Sequence, residues 1–133
     1  MKVADLMRTE LKTVAADATV ADAVDILAET QLSALPVLDR FGRAVGIVST
    51  REILAAEHKC GSPEARERLF EERLVLEIMA PWPPTIGPEA EAREAAREML
   101  YLDTQRLFVE DDGALVGVIS QTDIVTAVAT AKL

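Results

Sequence analysis

The stretch Gly46-Ile47-Val48-Ser49-Thr50-Arg51-Glu52-Ile53 returns later in the chain as Gly117-Val118-Ile119-Ser120-Gln121-Thr122-Asp123-Ile124. Gly46 to Gly117 and Ser49 to Ser120 share an offset of 71 residues. Upstream, Asp5-Leu6-Met7 is answered by Glu77-Ile78-Met79 and Thr13-Val14 by Thr85-Ile86, both at an offset of 72. Between them, Ser33-Ala34-Leu35-Pro36-Val37-Leu38-Asp39 matches Gln105-Arg106-Leu107-Phe108-Val109-Glu110-Asp111. One residue is lost, most simply in the turn before the last strand. Matching chemistry in one order at a near-constant offset marks an internal repeat, and the repeat decides the fold.

Each half reads as the same small unit. The Thr-hydrophobic pair makes a short extended segment. Thr19 is an N-cap for a helix whose apolar positions Val20, Val24 and Leu27 share one face. In the second half Pro88 is expected in the first helical turn, with Ala92, Ala95, Ala96, Met99 and Leu100 as the buried stripe. Two β-rich runs follow, Leu35–Leu38 and Ala44–Val48, joined through Asp39-Arg40-Phe41-Gly42. Their counterparts, Arg106–Glu110 and Leu115–Ile119, join around Asp112-Gly113. A last helix starts near Thr50 and again near Gln121. The order β-α-β-β-α occurs twice, an α/β (α+β) architecture. The halves are expected at residues 1–57 and 77–133, with a helical linker at 58–76.

In that linker, Ser62-Pro63-Glu64 starts a helix by capping, a proline in the first turn and a favourable charge on the dipole. Leu69, Arg73 and Leu76 are expected to continue it. Pro81-Trp82-Pro83-Pro84 is a stiff entry into the second half.

Composition removes several function classes. The 133 residues carry a net charge of −9, and no basic footprint exists for non-specific nucleic-acid binding. Residues 61–133 hold 14 of the acidic and 7 of the basic side chains, so the second half is the more acidic. An anionic membrane surface repels such a chain. The opening Met1-Lys2-Val3-Ala4-Asp5 has no apolar core of signal-peptide length, and nothing approaches the roughly 18 apolar residues of a spanning helix. With a single cysteine, Cys60, no intrachain disulfide framework is possible, which fits a reducing cytoplasm. His58 is the only histidine, so zinc sites and Ser-His-Asp triads lose most of their material. The runs Glu71-Glu72 and Asp111-Asp112 read as a solvated helix face and a turn. No catalytic residue and no metal ligand is expected, and the chain reads as a non-enzyme.

The Thr-hydrophobic segment, the Leu35-Pro36-Val37 strand and the Gly-x-x-Ser-x-x-acid junction, each repeated, make the chain resemble the CBS domain family. The resemblance runs from about Val3 to Ala129. It implies two CBS domains packed with pseudo-twofold symmetry into one module, often called a Bateman module. It also implies a regulatory protein that binds AMP, ADP, ATP or S-adenosylmethionine in the cleft between the domains, with or without magnesium. No catalytic cofactor is implied. The residues here add a physical case. Gly46 and Gly117 let a ligand or a neighbouring backbone approach closely. Ser49 and Ser120 stand at helix N-termini, where backbone N–H groups and the dipole favour phosphate. The acids Glu52 and Asp123 can accept hydrogen bonds from ribose hydroxyls. By resemblance, adenine lies between Thr13-Val14 or Thr85-Ile86 and Leu35-Pro36 or Leu107-Phe108. Arg51 and Thr122, beside these junctions, complete the candidate ligand-binding set, and Arg8 and Lys12 add charge nearby.

Two readings stand at each junction, because Ser-x-x-Glu is also a capping box. Ser49 and Glu52 fit capping as well as ligand binding, whereas Ser120 and Asp123 match the family pattern better. The family's proline is absent from the second half, where Phe108 either stacks on a base or fills core. Arg106, in place of Ala34, reaches a phosphate or stays on the surface. The alternative function is a ligand-free structural module for dimerisation or docking. Family modules pair into flat homodimers through their helices. Ile124, Val125, Val128 and Ala129, with the helix near residues 92–100, are the candidate face. With no catalytic or transport domain in these residues, the regulated effector is expected to be a separate protein.

Overall fold

A computed structural model describes residues 1–130; the last three residues of the second repeat, 131–133, lie outside the described residues. Among these, seven helices and seven strands form a mixed α/β fold with two sheets. In chain order they are α1 (Val3–Leu6), β1 (Val14–Ala15), α2 (Val20–Thr30), β2 (Ala34–Leu38), β3 (Ala44–Ser49), α3 (Thr50–His58), α4 (Pro63–Glu72) and α5 (Val75–Ile78). There follow β4 (Ala80–Pro81), β5 (Thr85–Ile86), α6 (Ala92–Leu102), β6 (Arg106–Asp111), β7 (Ala114–Ser120) and α7 (Gln121–Ala129).

The spans 1–57 and 77–133 mark repeats along the chain, whereas the compact units in space divide it differently. One unit is Lys12–Pro83, and the other joins Met1–Leu11 to Pro84–Leu133. The reason lies in backbone pairing. Val3 N donates to Ala90 O and Ala92 N to Met1 O, both at 2.8 Å, while Arg8 and Val118 exchange N–H···O bonds of 2.8 and 2.9 Å. In the same way Val75 N donates to Ala18 O at 2.8 Å, and β4 pairs with β3 through Gly46↔Pro81 and Ile47↔Ala80.

In the Lys12–Pro83 unit the sheet order is β1-β2-β3-β4, with β1 parallel and β3 antiparallel to β2. Its core gathers Val20, Ala23 and Leu27 of α2, Leu35 and Val37 of β2, Val48, Ile53, Leu69 and Val75. Val20 and Leu27 are on the buried face as expected, Val24 is only partly buried, and Ala23 is the third buried residue. Thr19 caps α2: its Oγ1 accepts from Asp22 N at 3.2 Å, and Asp22 Oδ2 accepts from Thr19 N at 3.1 Å.

The other unit repeats this with β5-β6-β7 and a core of Val3, Ala95, Met99, Leu107, Val109, Ile119 and Ile124. Its hairpin turns through Asp112 (φ 55°) and Gly113 (φ 83°), a two-residue turn with both central residues left-handed. The first hairpin needs a longer turn, in which Asp39 Oδ1 accepts from Phe41 N and Arg43 N at 2.9 and 3.0 Å. That difference accounts for the residue lost between the repeats. Each hairpin also carries a bulge, at Val45 and at Val116, which the sequence did not announce.

Three local expectations are corrected. Pro88 lies in a turn before α6, closed by Ala90 N donating to Gly87 O at 3.2 Å, and the helix starts only at Ala92. Leu100 is not in the buried stripe: it is 77% exposed, while Ala92, Ala95 and Met99 are buried. The linker helix does not run on through Arg73 and Leu76. It stops at Glu72 because Arg73 is extended (ψ 141°) and gives its carbonyl to Val20 N, and Leu76 belongs to the separate α5.

Candidate ligand-binding junctions

The two Gly-x-x-Ser-x-x-acid stretches fold alike, each from the end of a sheet strand into the first turn of a helix. Ser49 and Ser120 are extended N-caps, at φ −128° and −116°. At the first junction Glu52 Oε1 accepts from Ser49 N at 2.8 Å and from Ser49 Oγ at 2.6 Å, and Ser49 Oγ accepts from Arg51 N at 3.2 Å. At the second, Asp123 Oδ2 accepts from Ser120 N at 2.9 Å and Ser120 Oγ from Asp123 N at 3.1 Å. Both junctions are therefore capping boxes, the second as fully as the first. Capping takes Oε1 of Glu52 and Oδ2 of Asp123. The second oxygen differs: Asp123 Oδ1 meets Arg8 Nε at 3.4 Å, whereas no partner is bonded to Glu52 Oε2 among the described residues. A ligand at the second junction has to share Asp123 with Arg8 or displace it.

What approaches the two glycines is the chain itself. A Cβ on Gly46 would stand 2.7 Å from Ala80 O and 2.5 Å from Met79 Sδ. On Gly117 it would stand 2.9 Å from Arg8 O and 2.7 Å from Met7 Sδ. These contacts repeat at the offset that relates Met7 to Met79. Gly46 and Gly117 are there to let a crossing strand close on the sheet.

The extended segments lie one strand away from the junction strands, across β2 in one sheet and β6 in the other. Val14 pairs with Val37, and Thr85 pairs with Phe108. Thr13 stays outside its ladder although its counterpart Thr85 is inside, and position 36 is a proline with no N–H to give. Leu35 and Pro36 are buried, as are Leu107 and Phe108, the latter 6% exposed and so part of the interior. Thr13, Thr85 and Ile86 are half-buried. Arg51, Arg106 and Thr122 are exposed, and Arg51 lines a groove beside α3. Lys12 is exposed in the same unit as the first junction.

Arg8, expected only as charge nearby, is the partner of Asp123. It pairs with Val118 of β7 as Ile47 of β3 pairs with Ala80, the counterpart of Arg8 on β4. Glu77, beside that strand, has its carboxyl held below the usual carboxylate range by the backbone N–H of Leu74 (2.7 Å), with Arg73 adding to the effect. Among the described residues no three His, Cys, Asp or Glu side chains gather as a metal-binding set. No helix among them is long and apolar enough to cross a membrane.

Repeated α/β units, each with a capped strand–helix junction beside a short parallel strand, define a tandem-repeat class of small domains. The CBS domain model matches residues 3–59 and 75–130, and the chain belongs to that family. It is 28% identical to the chloroplastic CBS domain-containing protein CBSX1 of Arabidopsis thaliana, over 90% of this chain and 60% of that protein. It is 33% identical to a CBS domain-containing protein of Dictyostelium discoideum, over 92% of this chain and 87% of that one. The crystal structure of CBSX2 in complex with AMP is 29% identical, with a TM-score of 0.78, covering 99% of this chain and 98% of that chain. The chain spans about 60% of the length of the curated relatives CBSX1 and CBSX2 (60% and 62%).

Proposed function

We propose that this chain is a regulatory module that binds an adenine nucleotide, or S-adenosylmethionine, at its strand–helix junctions and transmits occupancy to a separate effector protein. One observation carries the reading. Each of two repeats presents a helix N-terminus with an acid in the same sheet unit as a Thr-hydrophobic segment, in a chain 29% identical over nearly its whole length to a protein crystallised with AMP. The ribose hydroxyls donate to the carboxylate, and the phosphate faces backbone N–H groups at the start of the helix. The module senses and does not catalyse, and its setting is cytoplasmic.

The first junction is the more open of the two, because Glu52 has an uncommitted oxygen while Arg8 sits on Asp123. This reverses the ranking that sequence pattern favours. Calorimetry of ligand-free protein with AMP, ADP, ATP and S-adenosylmethionine, with and without magnesium, tests the proposal. A ligand that binds the folded state also raises the melting temperature with its concentration. Glu52→Gln should weaken binding more than Asp123→Asn, since both amides still cap. Absence of any response to all four compounds overturns the reading.

A second reading has its own observation. Leu100, Tyr101, Val125 and Val128, on α6 and α7, are 77%, 81%, 64% and 58% exposed. Such a face suits a homodimer, with or without a ligand. Light scattering of the wild type and of Leu100→Glu distinguishes the cases: a dimer that the variant splits supports it, and a wild-type monomer removes it.

A further inference from the structure

The Lys12–Pro83 unit contains a groove of about 600 Å³ that the repeat does not explain. One wall is α3 and its C-cap, where Arg51, Ala55 and Lys59 recur at every fourth position and share a face. The other wall is α4, with Ala65, Arg68, Leu69 and Glu72 at helical spacing, and Arg73 and Glu77 close one end. Residues 60–74, which include all of α4, fall outside both CBS domain matches. This wall therefore belongs to the segment that joins the two domains.

Charge in the groove is unbalanced in a chain that is acidic overall. Four cations line it, Arg51, Lys59, Arg68 and Arg73, against the carboxylates of Glu52, Glu72 and Glu77. Two of those acids already hold bonds, although Arg73, the partner of Glu77, is itself one of the four cations, so that pair cancels within the groove. Glu52 caps α3, and Glu77 accepts from Leu74 N and from Arg73 Nε at 2.7 and 2.9 Å. Away from the groove, the neighbouring cation on α4 is paired, Arg66 Nε to Glu57 Oε1 at 2.9 Å. Among the described residues, Arg51, Lys59 and Arg68 have no carboxylate within 4.0 Å. Arg51 stands in the first turn of α3, where a cation is unfavourable to the dipole and an anion beside it offsets that cost.

We infer that the groove between α3 and α4 binds a ligand carrying several phosphate groups, gripped by Arg51, Lys59 and Arg68. Guanidinium groups pair bidentately with phosphate oxygens, and the lysine adds a point charge. The volume lies within the range of small-ligand sites. Two sources share this chemistry: a free polyphosphate, and the phosphate tail of a nucleotide. The groove takes in Arg51 and Glu52 of the first junction, but the inference needs neither the base nor the ribose contacts and so stands without the adenine reading.

The test is calorimetry of the full chain with sodium tripolyphosphate as probe, beside ATP and AMP. Lys59→Gln combined with Arg68→Gln changes two exposed side chains and should leave the melt unaltered. Tripolyphosphate should bind the wild type, and its affinity should fall by about tenfold for each cation removed. Rising salt should weaken it in both proteins. If ATP competes with the probe and loses affinity in the variant while AMP does not, the occupant is a nucleotide tail. If ATP and AMP are indifferent to the variant, the occupant is a free polyphosphate. No binding of tripolyphosphate, or equal binding to wild type and variant, overturns the inference. Failure of the adenine reading has a different signature, since it silences AMP and leaves tripolyphosphate untouched.

Discussion

The two halves share a fold and differ in what they add to it. On the Lys12–Pro83 unit the linker helix α4 packs against α2 and α3, burying Leu69 and lining a basic groove. Among the described residues the other unit has no such helix, and its α6 and α7 expose Leu100, Tyr101 and Val128. At the matching positions the first half carries Ala28, Glu29 and Glu57. The core positions repeat because both sheets need the same packing. The outer surfaces repeat only in part: Leu54, which matches Val125, is also exposed, whereas the positions of Leu100, Tyr101 and Val128 are not apolar and large in both halves.

The comparison breaks most readily at Leu69. If α4 is part of its unit, Leu69→Ala should destabilise the protein by about 2–5 kcal/mol, as for other buried leucines. Denaturant melts measure it. A change within about 0.5 kcal/mol would mean a tethered helix on the surface, and the contrast between the units would collapse. Next come the paired glycines. Gly46→Ala and Gly117→Ala force a methyl against the carbonyls of Ala80 and Arg8, at 2.7 and 2.9 Å, and each should cost about 1–3 kcal/mol. The tighter first site should suffer more. Equal stability to wild type in both variants would show that the strands part easily and that the glycines serve something else.

What was legible in the sequence follows the same division. The β-α-β-β-α order of each repeat, the cap at Ser49 as one of two readings, and the hairpin residue lost between the repeats could be read, because backbone-determined features recur wherever the local chemistry does; the short elements α1, α5 and β4 could not. Pro88 was misplaced because the turn it occupies is held by Ala4, a residue distant in the chain, through the hydrogen bond from Ala4 N to Pro88 O. Leu100 was misplaced because a helical stripe gives direction and not width, and only packing shows that burial ends at Met99. The Arg8–Asp123 pair and the basic groove depend on which segments meet, and no local pattern carries that. Pattern favours Asp123 for a ligand, and the structure adds what pattern does not show, Arg8 at 3.4 Å from its Oδ1.

Smaller effects sharpen the junction comparison. Ser49→Ala and Ser120→Ala each remove a cap and should cost about 0.5–2 kcal/mol. Ser49 also donates its hydroxyl to Glu52 at 2.6 Å, so the first variant should be the more damaging. If Ser120→Ala proves the worse, the second junction is the stronger cap and the asymmetry inferred from hydrogen bonding is reversed.

The smallest expected effect concerns the entry helices α1 and α5. Asp5 accepts from Lys2 N at 2.9 Å, and Glu77 accepts from Leu74 N at 2.7 Å, so the same cap is built twice. Only Glu77 adds an arginine, Arg73 at 2.9 Å. Its carboxyl is held below its ordinary value of 4.5, first by the Leu74 N–H and further by Arg73. A depressed folded-state value means that the folded protein holds this proton less tightly than the unfolded chain does. The stabilisation is therefore fully present above the ordinary value and is lost as pH falls through the lowered one. Glu77→Gln removes that dependence. Urea midpoints measured from about pH 6 down to about pH 3 should fall less steeply in the variant than in the wild type. The group is exposed, so the difference should be slight and should shrink further in high salt. Parallel profiles would mean that Leu74 and Arg73 do not distinguish α5 from α1, and a steeper profile in the variant would give the coupling the opposite sign.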